Sequence, residues 1–398
     1  MTHFIPVPAF PPEITDSIIH ELGPELPALR ICSQVCRAWL PASRHILHQT
    51  LKLRGEEIAE FVEIIASSEN TYFATLRGIE LSLCENGPTT ELLNLLPKFL
   101  CLKSIGIYSS IFYYEFPILP GVTTLEFRRT EFRSLAVFTI LLGQTPNLKS
   151  LTLSKVKLSG WVPGWAPTGV DLVPSKSIPG PELDVLHVEL TKDRALLDWL
   201  TSEVSAPSTL ALELFLPRDS YGSIGDTDLV DKASKYLQYL GIQLKRLHLR
   251  FSGSTQIQML NVSTNTALRS IRIDFFNVTF NARSWTTYFS ATLPSLLERF
   301  RSNDIDELIV DMNMIPDKKD MDIKRLSATL TSSRFAGLRR LQFNGQWDAY
   351  AARGKKTARK IFTENVIDRL PVSSSCSILL VDPSKDQKQV SRSYSGSN

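Results

Sequence analysis

One hydrophobic phrase returns along the chain: an apolar residue, two others, then apolar, any residue, apolar. It reads LRGIELSL from Leu76, LKSIGIYS from Leu102, VTTLEFRR from Val122, LKSLTLSK from Leu148 and LDVLHVEL from Leu183. It continues as LALELFL from Leu210, LKRLHLRF from Leu244, LRSIRIDF from Leu268, IDELIVDM from Ile305 and LRRLQFNG from Leu338. These ten phrases start about 20 to 37 residues apart, the spacing at which one strand and a returning helix or loop make a single stacking unit. Alternation at the end of each phrase, as in Leu151-Thr152-Leu153 or Leu247-His248-Leu249, turns two side chains to a core and the one between to the opposite face. The intervening segments "GPTTELLNLLPKFLC" and "SLAVFTILLGQTPN" carry apolar residues at helical spacing and predict helices. The fold class expected is therefore α/β, a solenoid of parallel strands on a concave face with helices outside.

Two stretches break the rhythm. "SGWVPGWAPTGVDLVPSKSIPGPE", Ser159 to Glu182, is too rich in Pro and Gly for a helix and predicts a long loop. The unit containing "NARSWTTYFSATLPSLLERF" is extended and ends in a helix. A last amphipathic helix, "TARKIFTENVIDRL", and the strand "CSILLVD" close the array, and the polar segment 383–398 is expected to be unordered. The repeats are placed at 71–382. Ahead of them, 51–70 is expected to be a linker with a capping helix, "GEEIAEFVEIIASSE" from Gly55 to Glu69.

Residues 8–50 have a different pattern. Pro11 and Pro12 suit a helix entry, Glu13 complements the positive end of the helix dipole, and Gly23 ends the segment. Ile14, Ile18 and Leu22 form one stripe, widened by Ile19. A second helix opens near Pro27 and sets Leu29, Cys32, Cys36 and Trp39 at steps of three or four. Two such helices cannot hide all of this surface in each other: Ile19, Val35 and Trp39 with Pro11 and Pro12 remain over. Burying a large apolar side chain stabilises by about 1.5–3 kcal/mol, so the surplus predicts a docking surface or a hairpin that caps the first repeat.

The head resembles the F-box. The residues that carry the resemblance are "PPEITDSIIHEL", the break at "GPEL" and "PALRICSQVCRAWLPASR", with Val35-Cys36-Arg37-Ala38-Trp39 matching that family's VC-x-x-W core. The repeats resemble divergent leucine-rich repeats, "TPNLKSLTLSKV" most closely, though the asparagine of regular repeats is mostly absent. An F-box followed by such repeats is similar to the large F-box families of mushroom-forming fungi. The resemblance implies a non-catalytic substrate receptor of an SCF (Skp–cullin–F-box) ubiquitin ligase. In that role the head docks a Skp-type adaptor, and through it a cullin, while the repeats hold a target protein. Carried over by position, the adaptor-facing residues are Pro11, Pro12, Glu13, Ile14, Ile18, Leu29, Val35, Cys36 and Trp39. Ile14 and Trp39 also suit an internal core. The other reading is a repeat scaffold acting outside any ligase.

Composition narrows the partners. Forty-four Lys and Arg against 41 Asp and Glu give a net charge of +3, too mild to indicate nucleic acid. No run approaches a membrane span, and the Pro-interrupted opening is unlike a secretory signal. Five scattered cysteines suggest a reducing compartment, cytoplasm or nucleus. Cys32, Cys36, His45 and His48 include enough ligand types for zinc, but two of them lie on the packing stripe, so no metal or cofactor is expected. The chain has no P-loop, GxGxxG, GxSxG or HExxH. On the strand face opposite the core, the residues expected to meet a target are Glu80, Glu126, Arg128, His187, Glu189, His248, Arg250, Arg272, Asp274, Asp311 and Gln342. Of these, His248, Arg250 and Arg272 make the best cluster for an acidic partner. Tyr113 and Tyr114 in "GIYSSIFYYEF" and the basic "RGKKTARK" are lesser candidates.

Overall fold

The computed structural model describes residues 11–22, 26–35, 39–47, 49–66, 72–82, 90–112, 116–158, 179–191, 193–217, 225–251, 254–275, 292–312, 322–345, 358–370 and 376–381. It divides into two compact units, Met1–Glu131 with Ile140–Leu148, and Phe132–Thr139 with Lys149–Asn398. The expected loop from Ser159 lies outside the described residues up to 178, as do Tyr113, Tyr114, residues 353–357 of the basic run and 383–398. No helix among the described residues is long and apolar enough to cross a membrane.

The first unit opens with three short helices, α1 (Pro12–Glu21), α2 (Leu26–Val35) and α3 (Leu40–Leu47). Strand β1 (Thr50–Arg54) and helix α4 (Gly55–Ala66) follow, then β2 (Gly78–Ser82), β3 (Ser104–Tyr108), the short β4 (Ile111–Phe112) and β5 (Thr124–Arg128). In the parallel ladder, Leu53, Leu81, Ile107 and Phe127 stand in one row, and all are buried. A one-residue slip would turn that row to solvent, so burial of one face fixes the register. Strand β1 is a correction: 51–70 was expected to hold only a linker and a capping helix. "TLKLR" alternates correctly but has no leading LxxL, and it pairs with β2 through its backbone. The expected helix forms as α4, burying Ile58, Phe61 and Ile65, but it lies between two paired strands.

The short β6 (Glu131–Phe132) and the helix Leu135–Gly143 lead in sequence to β7 (Ser150–Ser154). The second unit then runs through β8 (Glu182–Glu189), β9 (Ser208–Phe215), β10 (Arg246–Arg250), β11 (Ser270–Asp274), β12 (Glu307–Asp311), β13 (Arg340–Asn344) and β14 (Ser377–Val381). Every pair from β7 to β14 is parallel and sequential. Leu153, Val188, Leu214, Leu249, Ile273, Val310 and Phe343 form a continuous buried row. All ten phrases of the sequence contain a strand.

Local chemistry explains how the chain turns between strands. Ser109, Arg129 and Lys155, each directly after a strand of the array, adopt left-handed φ of 51°, 52° and 54°, which bends the chain off the sheet at the same place in three repeats. At Gly180 a Cβ would lie 2.0 Å from the Ala206 carbonyl oxygen, so this approach requires glycine. Buried Asn265 donates from Nδ2 to the carbonyls of Leu237 at 2.8 Å and Gly241 at 3.1 Å, satisfying the end of the helix Gly225–Leu240.

Asp193 ties one such turn together. Its carboxylate caps the helix Arg194–Leu200 through the N–H groups of Ala195 at 2.8 Å and Leu196 at 3.4 Å, and accepts the Leu158 N–H at 2.5 Å. Asp193→Ala removes the cap and leaves a buried donor unpaired, an expected loss of about 2–4 kcal/mol in urea unfolding. Asp193→Asn keeps an acceptor at the cap and is expected to recover at least half of that loss.

Candidate functional site

Two regions, each within a single unit, carry most of the candidate residues; Glu80, Glu126 and Arg128 lie on strands of the first unit, where Glu80 pairs with Lys52 and Glu126 with Arg128. In the head, Pro11 is the exposed N-cap of α1 and Pro12 opens its first turn, with Glu13 exposed behind it. Thr15 and Ile19 bury one stripe of α1 at 6% and 0% exposure, while Ile14 and Ile18, also four apart, remain 46% and 42% exposed. In α2, Leu29 and Cys32 are buried, whereas Ile31 and Val35 are 65% and 59% exposed. Helix α3 packs against both α1 and α2, with Ser43 fully buried. Each of α1 and α2 thus has one wet i, i+4 pair of β-branched aliphatics, an apolar surface that isolated helices do not leave out by chance.

The structure corrects two expectations here and adds one residue. Leu29, read as adaptor-facing, is wholly buried, because α3 supplies a third helix to cover its stripe. Ile19, read as surplus, is buried for the same reason. Ile31 had escaped notice, because the stripe through Leu29 and Cys32 drew attention to the wrong side of α2. Trp39 is half-buried, and Cys36 lies outside the described residues, as does His48 of the zinc set. Cys32 is buried and unbridged while His45 is exposed.

The second region is the open strand face of the second unit. His187, Glu213, His248 and Arg272 occupy one row across β8, β9, β10 and β11. Glu189, Phe215, Arg250, Asp274, Asp311 and Asn344 occupy the next. His187 Nδ1 lies 2.7 Å from Glu213 Oε2, and His248 Nδ1 lies 3.9 Å from the same oxygen. The Phe215 ring meets both imidazoles edge-on at centroid distances of 4.6 and 5.2 Å. Arg250 stacks over that ring at 3.9 Å, and its Nε donates to Asp274 at 2.5 Å. Arg272 holds Asp311 with two bonds of 2.6 and 3.2 Å. Asn344 donates to Asp311 and Gln342 to Asn344, both at 2.6 Å, and Arg340 bonds Gln342. Glu189 accepts from Ser154 Oγ at 2.5 Å.

Five of the six residues expected here, His187, His248, Arg250, Arg272 and Asp274, therefore share one network, with Glu189 at its margin. Their roles differ from the expectation. Arg250 and Arg272 do not form a free cationic patch, because each is matched to a buried carboxylate. Asp274 is only 2% exposed and is a structural counter-ion. Glu213 and Phe215 were missed: "LELF" reads as an ordinary strand, and only its register beside His187 and His248 shows that the carboxylate lies between two imidazoles. A ring nitrogen of His248 and carboxylate oxygens of Asp274 and Asp311 lie within 4.8 Å of one another, a possible metal-ligand set.

The hydrogen bond with His187, reinforced by His248, holds the Glu213 carboxyl well below its ordinary value of 4.5. A carboxylate whose folded pKa is depressed stabilises the fold above its unfolded value and loses that contribution as pH falls through the folded one. Glu213→Gln is therefore expected to cost up to about 1 kcal/mol near neutral pH, a modest figure because the side chain is partly exposed. The gap to the parent should close progressively in melts below pH 4.5.

No family model matches the chain, and no curated protein matches it. Among solved structures, it is similar to a crystal structure of a protein from Bacteroides fragilis at 10% sequence identity and a TM-score of 0.36, over 83% of this chain and 73% of that one.

Proposed function

We propose that this chain is the substrate-recognition subunit of an SCF-type ubiquitin ligase. In this reading the helical head docks a Skp-type adaptor linked to a cullin, and the strand face holds a target protein. The observation that carries it is the pair of exposed aliphatic stripes, Ile14 with Ile18 and Ile31 with Val35, on a head whose other stripes are already covered. An interface of ordinary size, on the order of 1,600 Å² in total, would cover them. The F-box resemblance of "PPEITDSIIHEL" and "VCRAW" supports the same partner. The chain's role is then positional: it raises the effective concentration of the target beside the transferring enzyme and performs no bond chemistry itself.

The deciding experiment is co-expression of the full chain with a Skp-type adaptor and cullin, followed by size-exclusion chromatography. A stoichiometric complex supports the reading. A soluble, folded chain that elutes without the adaptor overturns it in favour of a repeat scaffold.

A further inference from the structure

Beside His248 lie three carboxylates: Glu213 faces its Nδ1, while Asp274 and Asp311 pair with Arg250 and Arg272. Asp274 and Asp311 are 2% and 4% exposed. These two aspartates stand directly opposite each other on β11 and β12, where like charges across a ladder repel. His248 sits beside them with Nδ1 toward Glu213 and its ring edge against Phe215. Its other nitrogen, Nε2, is buried and has no hydrogen-bond partner. An imidazole oriented by a carboxylate at Nδ1 presents a lone pair at Nε2, the arrangement by which carboxylate–histidine pairs serve metal ions. A bare lone pair beside two carboxylates is acceptor against acceptor, and a cation resolves the conflict.

We propose that His248 Nε2 with one oxygen each of Asp274 and Asp311 binds a divalent transition-metal ion of the Zn²⁺ class. One imidazole and two carboxylates suit that class. Ligand atoms in a tetrahedral zinc shell stand roughly 3.4 Å apart; a ring nitrogen of His248 and one oxygen of each aspartate lie within 4.8 Å of one another, so the ligands draw inward on binding. Arg250 and Arg272 then act as outer-shell donors that orient the carboxylates, and His187 steadies Glu213 at 2.7 Å. With the ion bound, three consecutive strands are cross-linked at their open face. This site stands independently of the ligase reading, since it needs only the isolated chain.

The test is titration of the full-length chain, stripped with chelator and dialysed, with Co²⁺ followed by visible absorption and with Zn²⁺ by calorimetry. One ion per chain is expected, with a zinc-dependent rise in the thermal midpoint. His248→Gln should weaken binding by about 10- to 100-fold and abolish the thermal rise. Should His248→Gln not fold by circular dichroism, Glu213→Gln, which alters only the outer shell, is expected to weaken binding by about 10-fold. Absence of saturable binding by the parent overturns the site. Binding that survives in folded His248→Gln, or in Glu213→Gln where that is the variant measured, overturns it as well, marking an adventitious surface ion.

Discussion

Trp199→Ala is expected to lower stability by about 3–5 kcal/mol, the range for deleting a buried indole that its surroundings cannot refill. Trp199 is 1% exposed. The Phe138 ring meets it edge-on at 5.0 Å, and Phe138 meets Phe132 at 5.1 Å, so one aromatic chain joins Trp199 to two residues of the second unit that are far from it in sequence. Truncation empties one end of that chain, and the neighbouring rings are held by their own strand and helix. The indole has one defect, an Nε1–H that is buried without a partner. Trp199→Phe removes that unpaired donor along with one ring, and the two effects oppose each other. Its expected cost is under about 1.5 kcal/mol. Urea unfolding followed by far-ultraviolet circular dichroism separates the two variants. Equal losses would mean that a phenyl ring does not refill the site.

The array was legible in the sequence because its signal is periodic. Leu151 and Leu153, or Leu247 and Leu249, must alternate if one face is buried, and ten repetitions leave the register little choice. The strand Thr50–Arg54 was not legible, since five alternating residues without a lead-in look like any linker until β2 pairs with them. In the head, helical periodicity located the stripes but not which of them a third helix would cover, so Leu29 and Ile19 were placed outside. On the strand face the sequence put His248, Arg250, Arg272 and Asp274 on one side of the sheet. It could not show that Arg250 belongs to Asp274 and Arg272 to Asp311, because those pairs depend on which rung lies next to which. Charge matching between strands separated by 24 and 39 residues is a product of topology alone.

The double substitution Ile18→Asp/Val35→Asp is expected to reduce capture of a Skp-type adaptor by more than about 100-fold while leaving the chain folded. Both side chains are largely exposed, 42% and 59%, so the isolated chain should change stability by no more than about 0.5 kcal/mol for each. In a complex the same positions would be desolvated. Losing two aliphatic contacts removes about 3–6 kcal/mol, and the introduced carboxylates add the cost of burying unpaired charge. Ile19→Asp provides the contrast, because Ile19 is 0% exposed and a carboxylate there should unfold the head outright. Adaptor pull-down with circular dichroism on all three proteins distinguishes docking from folding. If the folded double variant still captures the adaptor at parental strength, the exposed stripes are not the docking surface and the ligase reading loses the observation on which it rests. If capture is lost with the fold intact, the wet aliphatic pairs have a partner, and their exposure in the free chain is explained by it.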